Sequence, residues 1–361
     1  MLKPDKPYNS LPLIPPDRKA VETIPILRQE SKAAVALAEL KGLAKILPNQ
    51  NILINSVVLQ EAKASSEIEN VITTQDKLYK AITLKDIEVD KDTKEVLRYR
   101  EALFTGQKFI QQKGFLNTNG IVKVQKVLEQ NDAGIRTLPG TALKNGATGE
   151  TIYTPPDDSA AIPKLMKNFD DFINTNDDEF SPLIKLAIQH YQFESIHPFY
   201  DGNGRTGRIV NVLYLMLHNL LDTPILYLSG YIIKNKSAYY RLLQEVRTKN
   251  NWEGWILYML KGVEQTSLET IDKINSINKL FHQTVEVAKK KAPKAYSKEL
   301  IELLFMHPYS KIEFVVEELE LERRTASKYL QEMERIGILK SETKWKEVLY
   351  INTKLYDLLK K

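Results

Sequence analysis

The segment His197-Pro198-Phe199-Tyr200-Asp201-Gly202-Asn203-Gly204-Arg205-Thr206-Gly207-Arg208 brings together a base, a carboxylate, flexible glycines and two guanidinium groups. Pro198 lacks a backbone donor and should end the preceding helix near His197. Gly202 and Gly204 permit a tight turn with inward-pointing amide hydrogens, and helical periodicity resumes directly after them. That predicts an anion cradle at a helix N-terminus, with phosphate as its natural occupant. Arg205 and Arg208 are three residues apart on one helix face, so both can grip a single polyphosphate. Asp201, beside the cradle, is suited to hold Mg²⁺ together with phosphate oxygens. His197, with an ordinary pKa of about 6.5, supplies a general base at neutral pH.

Taken singly, these features are unremarkable: a histidine before proline is commonly a turn residue, and paired helical arginines are usually solvated. Together they are not, since eight fixed positions of a pattern defined beforehand arise by chance with a probability on the order of 10⁻⁸. Gly202, Gly204 and Gly207 also satisfy the G-x-G-x-x-G dinucleotide fingerprint. That fingerprint requires a preceding buried strand, whereas Leu183 to Phe193 reads as a helix and no parallel-strand alternation occurs elsewhere. The chain contains no G-x-x-x-x-G-K-[ST] loop, and its five histidines form no H-E-x-x-H pair.

The elements that must position this segment come from a chain of 361 residues, 43% apolar and 27% charged. Such a composition builds a globular protein of about two domains. No apolar run approaches the roughly 18 residues needed to cross a bilayer, and Met1 to Ser10 lacks the apolar stretch of a secretory signal, so a soluble, cytoplasmic protein with no membrane partner is expected. The absence of cysteine excludes disulfides, thiolate metal sites and cysteine nucleophiles. A net charge of +5 favours polyanionic partners only weakly.

Prolines 4, 7, 12, 15 and 16 predict an extended arm over 1–19, wrapping the body and held by Leu11 and Leu13. A helical region follows over 20–110, where Ile24, Leu27, Ala34, Leu37, Leu40, Leu43 and Ile46 recur mostly at three-residue steps. Pro48-Asn49 ends its first part. A second helix is expected from Ile52 to Glu69, capped by Asn51 or Asn55 and closed by Asn70, and further helical pattern runs through Asp92 to Lys113 and Gly120 to Glu129. Arg136 to Pro156, with Asn145-Gly146 and Thr/Tyr/Ile-rich arms, predicts a small β-hairpin. Helical pattern returns over Ala161 to Thr175, Ser181 to Ser195, Gly204 to Leu220, Lys236 to Lys249 and Trp252 to Lys289, completing an all-α core over 111–288. A charged stretch at 289–295 is expected to be a linker. The last unit, 296–361, reads helix, helix, helix, then Ile338-Leu339 and Val348 to Ile351 about a polar tip. That is the pattern of a winged helix-turn-helix.

The segment from His197 to Arg208 resembles the signature of the Fic (filamentation induced by cAMP) family, H-P-F-x-[DE]-G-N-G-R-x-x-R, and agrees with it at every defined position. The likeness extends from the proline-rich arm to about Leu260, and the C-terminal unit is similar to the winged helix of bacterial Fic proteins. It implies an all-α, Fic-type core that transfers AMP from ATP to a protein hydroxyl. His197 would deprotonate the target Ser, Thr or Tyr, and Asp201 would hold Mg²⁺ against the α- and β-phosphates. Gly202, Asn203 and Gly204 would form the anion hole, Arg205 and Arg208 would bind the outer phosphates, and Thr206 and Gly207 fall within the same ATP-binding stretch. Phe199 would anchor the loop. Tyr239 and Tyr240 resemble a family position that meets the nucleoside, Tyr240 being favoured, while Trp252 and Trp255 are assigned to the core.

Ser65-Ser66-Glu67-Ile68-Glu69-Asn70 resembles the family's inhibitory motif, [ST]-x-x-x-E-[GN], in the class with a cis-acting N-terminal helix. Ser65 and Glu69 share a helix face. The resemblance pairs Glu69 with Arg208, placing negative charge where the γ-phosphate should lie. It also makes the hairpin at Thr141 to Thr154 a flap that receives the target peptide as an added strand, and it is compatible with a homodimer.

The C-terminal unit raises a rival reading, in which Arg323, Arg324, Thr325 and Lys328 open a recognition helix and the protein is a nucleotide-sensing, DNA-binding regulator without transferase activity. Residues 296–361 contain twelve Lys/Arg and twelve Asp/Glu, and Glu317, Glu318, Glu320 and Glu322 crowd the turn beside that helix. Carboxylates there repel phosphates, so DNA binding is the less favoured reading. A Fic protein acting mainly to remove AMP is the other alternative.

Overall fold

The computed structural model describes residues 3–47, 49–84, 88–144, 146, 148–175, 180–344 and 347–360. Its first part contains α1 (Arg18–Val21), α2 (Ile24–Leu43), α3 (Asn51–Ile68), α4 (Gln75–Thr83), α5 (Lys91–Lys113) and α6 (Thr118–Glu129). The hairpin β1 (Leu143–Lys144) and β2 (Thr151–Tyr153) follows, then α7 (Ala161–Asn174), α8 (Pro182–Ile196), α9 (Asn203–Leu217), α10 (Leu228–Lys234), α11 (Lys236–Lys249) and α12 (Trp252–Lys291). Caps explain many of the boundaries. Side chains of Asp90, Asn117, Ser181 and Asn251 accept backbone N–H groups at the starts of α5, α6, α8 and α12. Left-handed Gly114, Gln130, His197 and Asn250 close α5, α6, α8 and α11.

The core is centred on α8, in which every residue from Leu183 to Ile196 is buried. A helix buried on all sides must satisfy its polar groups internally. His190 Nε2 meets the Tyr239 hydroxyl at 2.9 Å and Gln189 Nε2 donates to Asn211 Oδ1 at 2.5 Å. Burial, then the charge of Arg208, pushes His190 down to about 3. Because that is below the pKa of an unfolded histidine, the folded state forgoes a proton that the unfolded state takes up as pH falls below about 6.5. Relative to His190→Gln, the wild type should therefore lose about 1.4 kcal/mol of stability per pH unit between roughly pH 6 and 4. Urea titrations of both proteins at pH 7 and 5 measure this difference, and a constant gap would refute it.

Three expectations are corrected. The α2 stripe holds only at its centre: Leu37 and Leu40 are buried as expected, together with Ile26, Gln29, Ala33 and Ala36, whereas Ile24, Leu27 and Ile46 are exposed. Apolar residues occur on both faces of this helix, so spacing alone could not choose between them. In the arm, Leu11 and Ile14 are buried and Leu13 is exposed; the buried pair is three residues apart, the repeat of a proline-rich polyproline II chain, which turns Leu13 away from the body. Asn49, not Asn51 or Asn55, meets the start of α3, its Oδ1 accepting Asn51 N–H at 2.9 Å. Pro48 and Asn145 lie outside the described residues.

The hairpin is antiparallel, with Leu143 opposite Tyr153. The arm lies against it through Tyr8 N–H donating to Thr154 O at 3.0 Å.

Past α12 come α13 (Lys298–Met306), β3 (Tyr309–Ser310), α14 (Ile312–Leu319), α15 (Arg323–Arg335), β4 (Lys340–Lys344), β5 (Glu347–Ile351) and α16 (Thr353–Lys360). The strands form an antiparallel sheet in the order β3-β5-β4, so a short first strand joins the wing. The charged stretch at 289–295 does not interrupt the chain as expected, because α12 runs through Lys291 and Ala292 and Ala295 are buried. This unit rests on α3 and α4: the Tyr309 ring stacks on Tyr79 at 5.5 Å, its hydroxyl donates to Asp76 Oδ1 at 2.7 Å, and Gln60 donates to Leu359 O. No helix among the described residues is long and apolar enough to cross a membrane.

Candidate functional site

α8 ends at His197, which is left-handed (φ 51°, ψ 59°), and α9 starts after Gly202, also left-handed (φ 74°). The loop between them is held by a reciprocal pair: Asn203 Nδ2 donates to Phe199 O and Phe199 N–H donates to Asn203 Oδ1, both at 2.8 Å. Phe199 is fully buried, an anchor as expected. Gly202 N–H donates to Asp201 Oδ1 at 2.7 Å, while Asp201 itself faces solvent. The first turn of α9 leaves the N–H groups of Asn203, Gly204 and Arg205 without intrahelical acceptors, and these form the amide cradle. Asn203 can contribute only its main chain there, since its side chain is committed to Phe199.

A carboxylate stands over this cradle. Glu69 Oε1 accepts from Arg208 Nη2 at 2.7 Å, and Glu69 Oε2 lies 2.9 Å from Arg205 Nε, so one carboxylate bridges both signature arginines. It lies so close to Gly204 that an added Cβ would come within 2.5 Å of Oε1. Ser65 completes the grip, its Oγ accepting from Arg208 Nε at 2.7 Å and its carbonyl from Arg208 Nη2 at 2.9 Å. Asn70 follows in the left-handed region (φ 66°), turning the chain away after Glu69. α3 is fixed from behind by buried Glu61, which accepts from Ser229 N–H at 2.9 Å and from the Ser229 hydroxyl at 2.5 Å.

Two further carboxylates reach Arg205. Glu95 on α5 meets Nη1, and Glu129 at the end of α6 lies 2.9 Å from Nη2. Burial works against the Arg205 charge, but Glu69, Glu129 and Glu95 together hold its pKa above the ordinary value. Burial raises Glu129 to about 7, with Arg205 opposing and Asp201, Glu95 and Glu69 adding to the rise. Arg208 is likewise raised: Glu69, Tyr239, Glu194 and Tyr99 overcome its desolvation.

Burial, then the charges of Arg136 and Arg247, pushes His197 down to about 3. Its imidazole is therefore neutral throughout the physiological range, though a weaker base than its ordinary pKa implies. Arg136 was missed in the sequence. Its fully buried guanidinium donates from Nε to His197 O at 2.8 Å and from Nη2 to Ile196 O at 3.2 Å and to Pro156 O, and its own N–H donates to Pro198 O at 2.9 Å. It is the strut that holds the His197-Pro198 bend. Arg136→Ala would leave buried carbonyls without donors and should cost about 3 kcal/mol or more, with Arg136→Lys restoring little because an ammonium cannot reach the same three acceptors. Chemical denaturation tests this, and a loss below about 1 kcal/mol would show that the bend holds without it.

Beyond the loop, the remaining sites divide. Tyr239 is buried against His190 and Trp255, whereas Tyr240 is half exposed, so only Tyr240 offers a ring to a ligand. Trp252 and Trp255 are core residues, as expected. Thr206 and Gly207, grouped with the ATP-binding stretch in the sequence, are instead turned into the protein. Thr206 is fully buried, and a Cβ on Gly207 would come within 2.9 Å of both Phe193 and Glu194 on α8. The Gly207 position serves close helix packing. The flap is tied to the last turn of α8 by Tyr153, whose hydroxyl donates to Ser195 O at 2.7 Å beneath the Arg247 guanidinium, 3.8 Å from its ring centre.

Residues 27–108 match the Fic/DOC family N-terminal model, residues 107–215 match the Fic/DOC family model, and residues 280–355 match the C-terminal domain of SoFic-like protein adenylyltransferases. The chain belongs to the Fic/DOC family. Among curated proteins it is 26% identical to a probable protein adenylyltransferase of Aquifex aeolicus over 200 residues, 54% of this chain and 56% of that protein. It is 42% identical to the protein adenylyltransferase Fic of Drosophila willistoni over 53 residues, 14% of this chain and 11% of that one. The chain thus spans about half the length of the Aquifex relative, and much less of the Drosophila one. A Fic family protein from Desulfovibrio desulfuricans shares the fold with a TM-score of 0.59 at 18% identity, covering 91% of this chain and 96% of that one. Fic-1 from C. elegans superposes with a TM-score of 0.53 at 18% identity, covering 70% and 74% of the two chains.

Proposed function

We propose that this Fic protein is an adenylyltransferase that moves AMP from ATP to a Ser, Thr or Tyr hydroxyl of a target protein or of itself, and that Glu69 restrains it. One observation carries this reading: the α9 amide cradle and both signature arginines converge on a single anion position, where the Glu69 carboxylate sits. The names of the Aquifex and Drosophila relatives support the same reaction. ATP phosphates would replace Glu69 at the cradle, with Arg205 and Arg208 on the outer phosphates and adenine against the Tyr240 ring.

The neutral His197 imidazole takes the proton of the target hydroxyl. The freed oxygen bonds to the α-phosphorus, the bond from that phosphorus to the bridging oxygen breaks, and pyrophosphate leaves. Bound triphosphate would raise the His197 pKa and make it a better base than in the free protein. Asp201, exposed beside the cradle and oriented by Gly202 N–H, is the residue that would hold Mg²⁺. No cluster of three or more metal-binding side chains exists among the described residues, so phosphate oxygens and water would complete the shell. That ion would neutralise charge on the α- and β-phosphates. The flap would align the target by strand addition.

Incubation with ATP labelled at the α- or the γ-phosphate tests the reaction. Only α-label should become protein-bound, and γ-label on protein would point to a kinase and overturn this assignment.

A further inference from the structure

Arg205 is surrounded by carboxylates from three different helices, and only one of them belongs to the Ser65 to Asn70 segment. Glu69 faces Nε, Glu95 faces Nη1 and Glu129 faces Nη2, while the arginine side chain is 4% exposed. Each nitrogen of this guanidinium lies within ion-pair distance of a carboxylate, with Nη1 hydrogen-bonded to Glu95 and Nε and Glu129 Oε1 in charge contact without a hydrogen bond. Withdrawal of Glu69 would still leave two carboxyl groups on one cation, and, because Glu69 is one of the charges that raise Glu129, it would favour the ionised form of Glu129 at the arginine that must receive phosphate.

Glu95 and Glu129 are not equivalent. The Glu129 carboxylate presses on Gly202, the residue that opens α9, so closely that a side chain there would collide with Oε1. Glu129 therefore covers the Asp201-Gly202 side of the cradle, as Glu69 covers the Gly204 side. The end of α6 is held there by Gln125, whose Nε2 donates to Asp201 O at 3.4 Å. We propose that Glu129 is a second inhibitory carboxylate, which occupies Arg205 and places negative charge on the Gly202 side of the cradle so that release of Glu69 alone leaves nucleotide binding weak. This rests on reading the cradle as a triphosphate site.

The test uses the full-length chain as wild type, Glu69→Gly, Glu129→Gln and the double variant, with ATP and adenosine titrated calorimetrically. In the Glu69→Gly background, Glu129→Gln should lower the Kd for ATP by about fivefold or more, through loss of like-charge repulsion, while leaving the Kd for adenosine unchanged. Glu129→Asp, which keeps the charge, should not tighten ATP. A merely structural glutamate would not sharpen binding of the charged ligand alone. An ATP Kd that stays within about twofold or rises in Glu129→Gln, with melting temperature preserved, overturns the proposal. If Glu129→Gln does not fold, Glu129→Ala is read by the same criterion. Failure of Glu69→Gly to bind ATP at all would instead overturn the triphosphate reading on which the proposal stands.

Discussion

Glu69→Gly is expected to raise transfer of α-label to protein by at least about tenfold while lowering the stability of the chain. The two effects share one cause. Glu69 bridges Arg208 at 2.7 Å and Arg205 at 2.9 Å, so in the wild type a triphosphate must displace a carboxylate already bound to both cations. Removing it frees Arg208, leaves Arg205 with Glu95 and Glu129 alone, and takes a negative charge away from the Gly204 side of the cradle, which favours phosphate binding and the charge that develops during transfer. The same change leaves Arg208, 3% exposed, with neutral Ser65 as its remaining hydrogen-bond partner. Breaking a buried pair typically costs about 3 to 5 kcal/mol, and somewhat less is expected here because the Glu69 side chain is 28% exposed. Labelling assays and urea denaturation on the same preparations would show activity rising as stability falls. Unchanged labelling would remove the inhibitory role of Glu69.

His197→Ala, made in the Glu69→Gly background so that there is activity to lose, is expected to reduce AMP transfer by about 10² to 10⁴. ATP binding should survive, because the α9 amides, Arg205 and Arg208 are contributed by a different element. The expected signature is therefore a collapse of kcat with the Kd for ATP within about threefold of the parent. His197 caps α8 in the left-handed conformation and its carbonyl is held by Arg136, so His197→Asn, which tolerates that backbone, is the control for a distorted loop. Retention of kcat in both variants would remove His197 as the base.

Much of this was legible in the residues themselves. The turn from His197 to Gly202 is set by Pro198 and left-handed Gly202, and such local steric constraints are the same in any fold, whereas Gly204, expected to share in the bend, is helical and instead leaves room for the Glu69 carboxylate. Ser65 and Glu69 share a face because of helical spacing, the hairpin followed from the Asn145-Gly146 turn signal and its Thr/Tyr/Ile-rich arms, and the C-terminal helices followed from periodicity. Other features depended on contacts that no local pattern announces. Arg136 lies 61 residues from the carbonyl it holds, and Glu95 lies 110 residues from Arg205. Glu129 reads in the sequence as an ordinary charged helix end.

The sequence by itself determined the chemistry and its local geometry, because a proline stop, a glycine bend and helical spacing act over a few residues. Tertiary structure decided which of these groups is already engaged and by what. It buried Tyr239 and left Tyr240, already favoured in the sequence, half exposed, turned Thr206 and Gly207 into the protein, fixed which face of α2 is buried, and set three carboxylates around Arg205. The physical reason is that charge pairing and burial depend on distance in space, and residues far apart in the chain become neighbours only when helices pack.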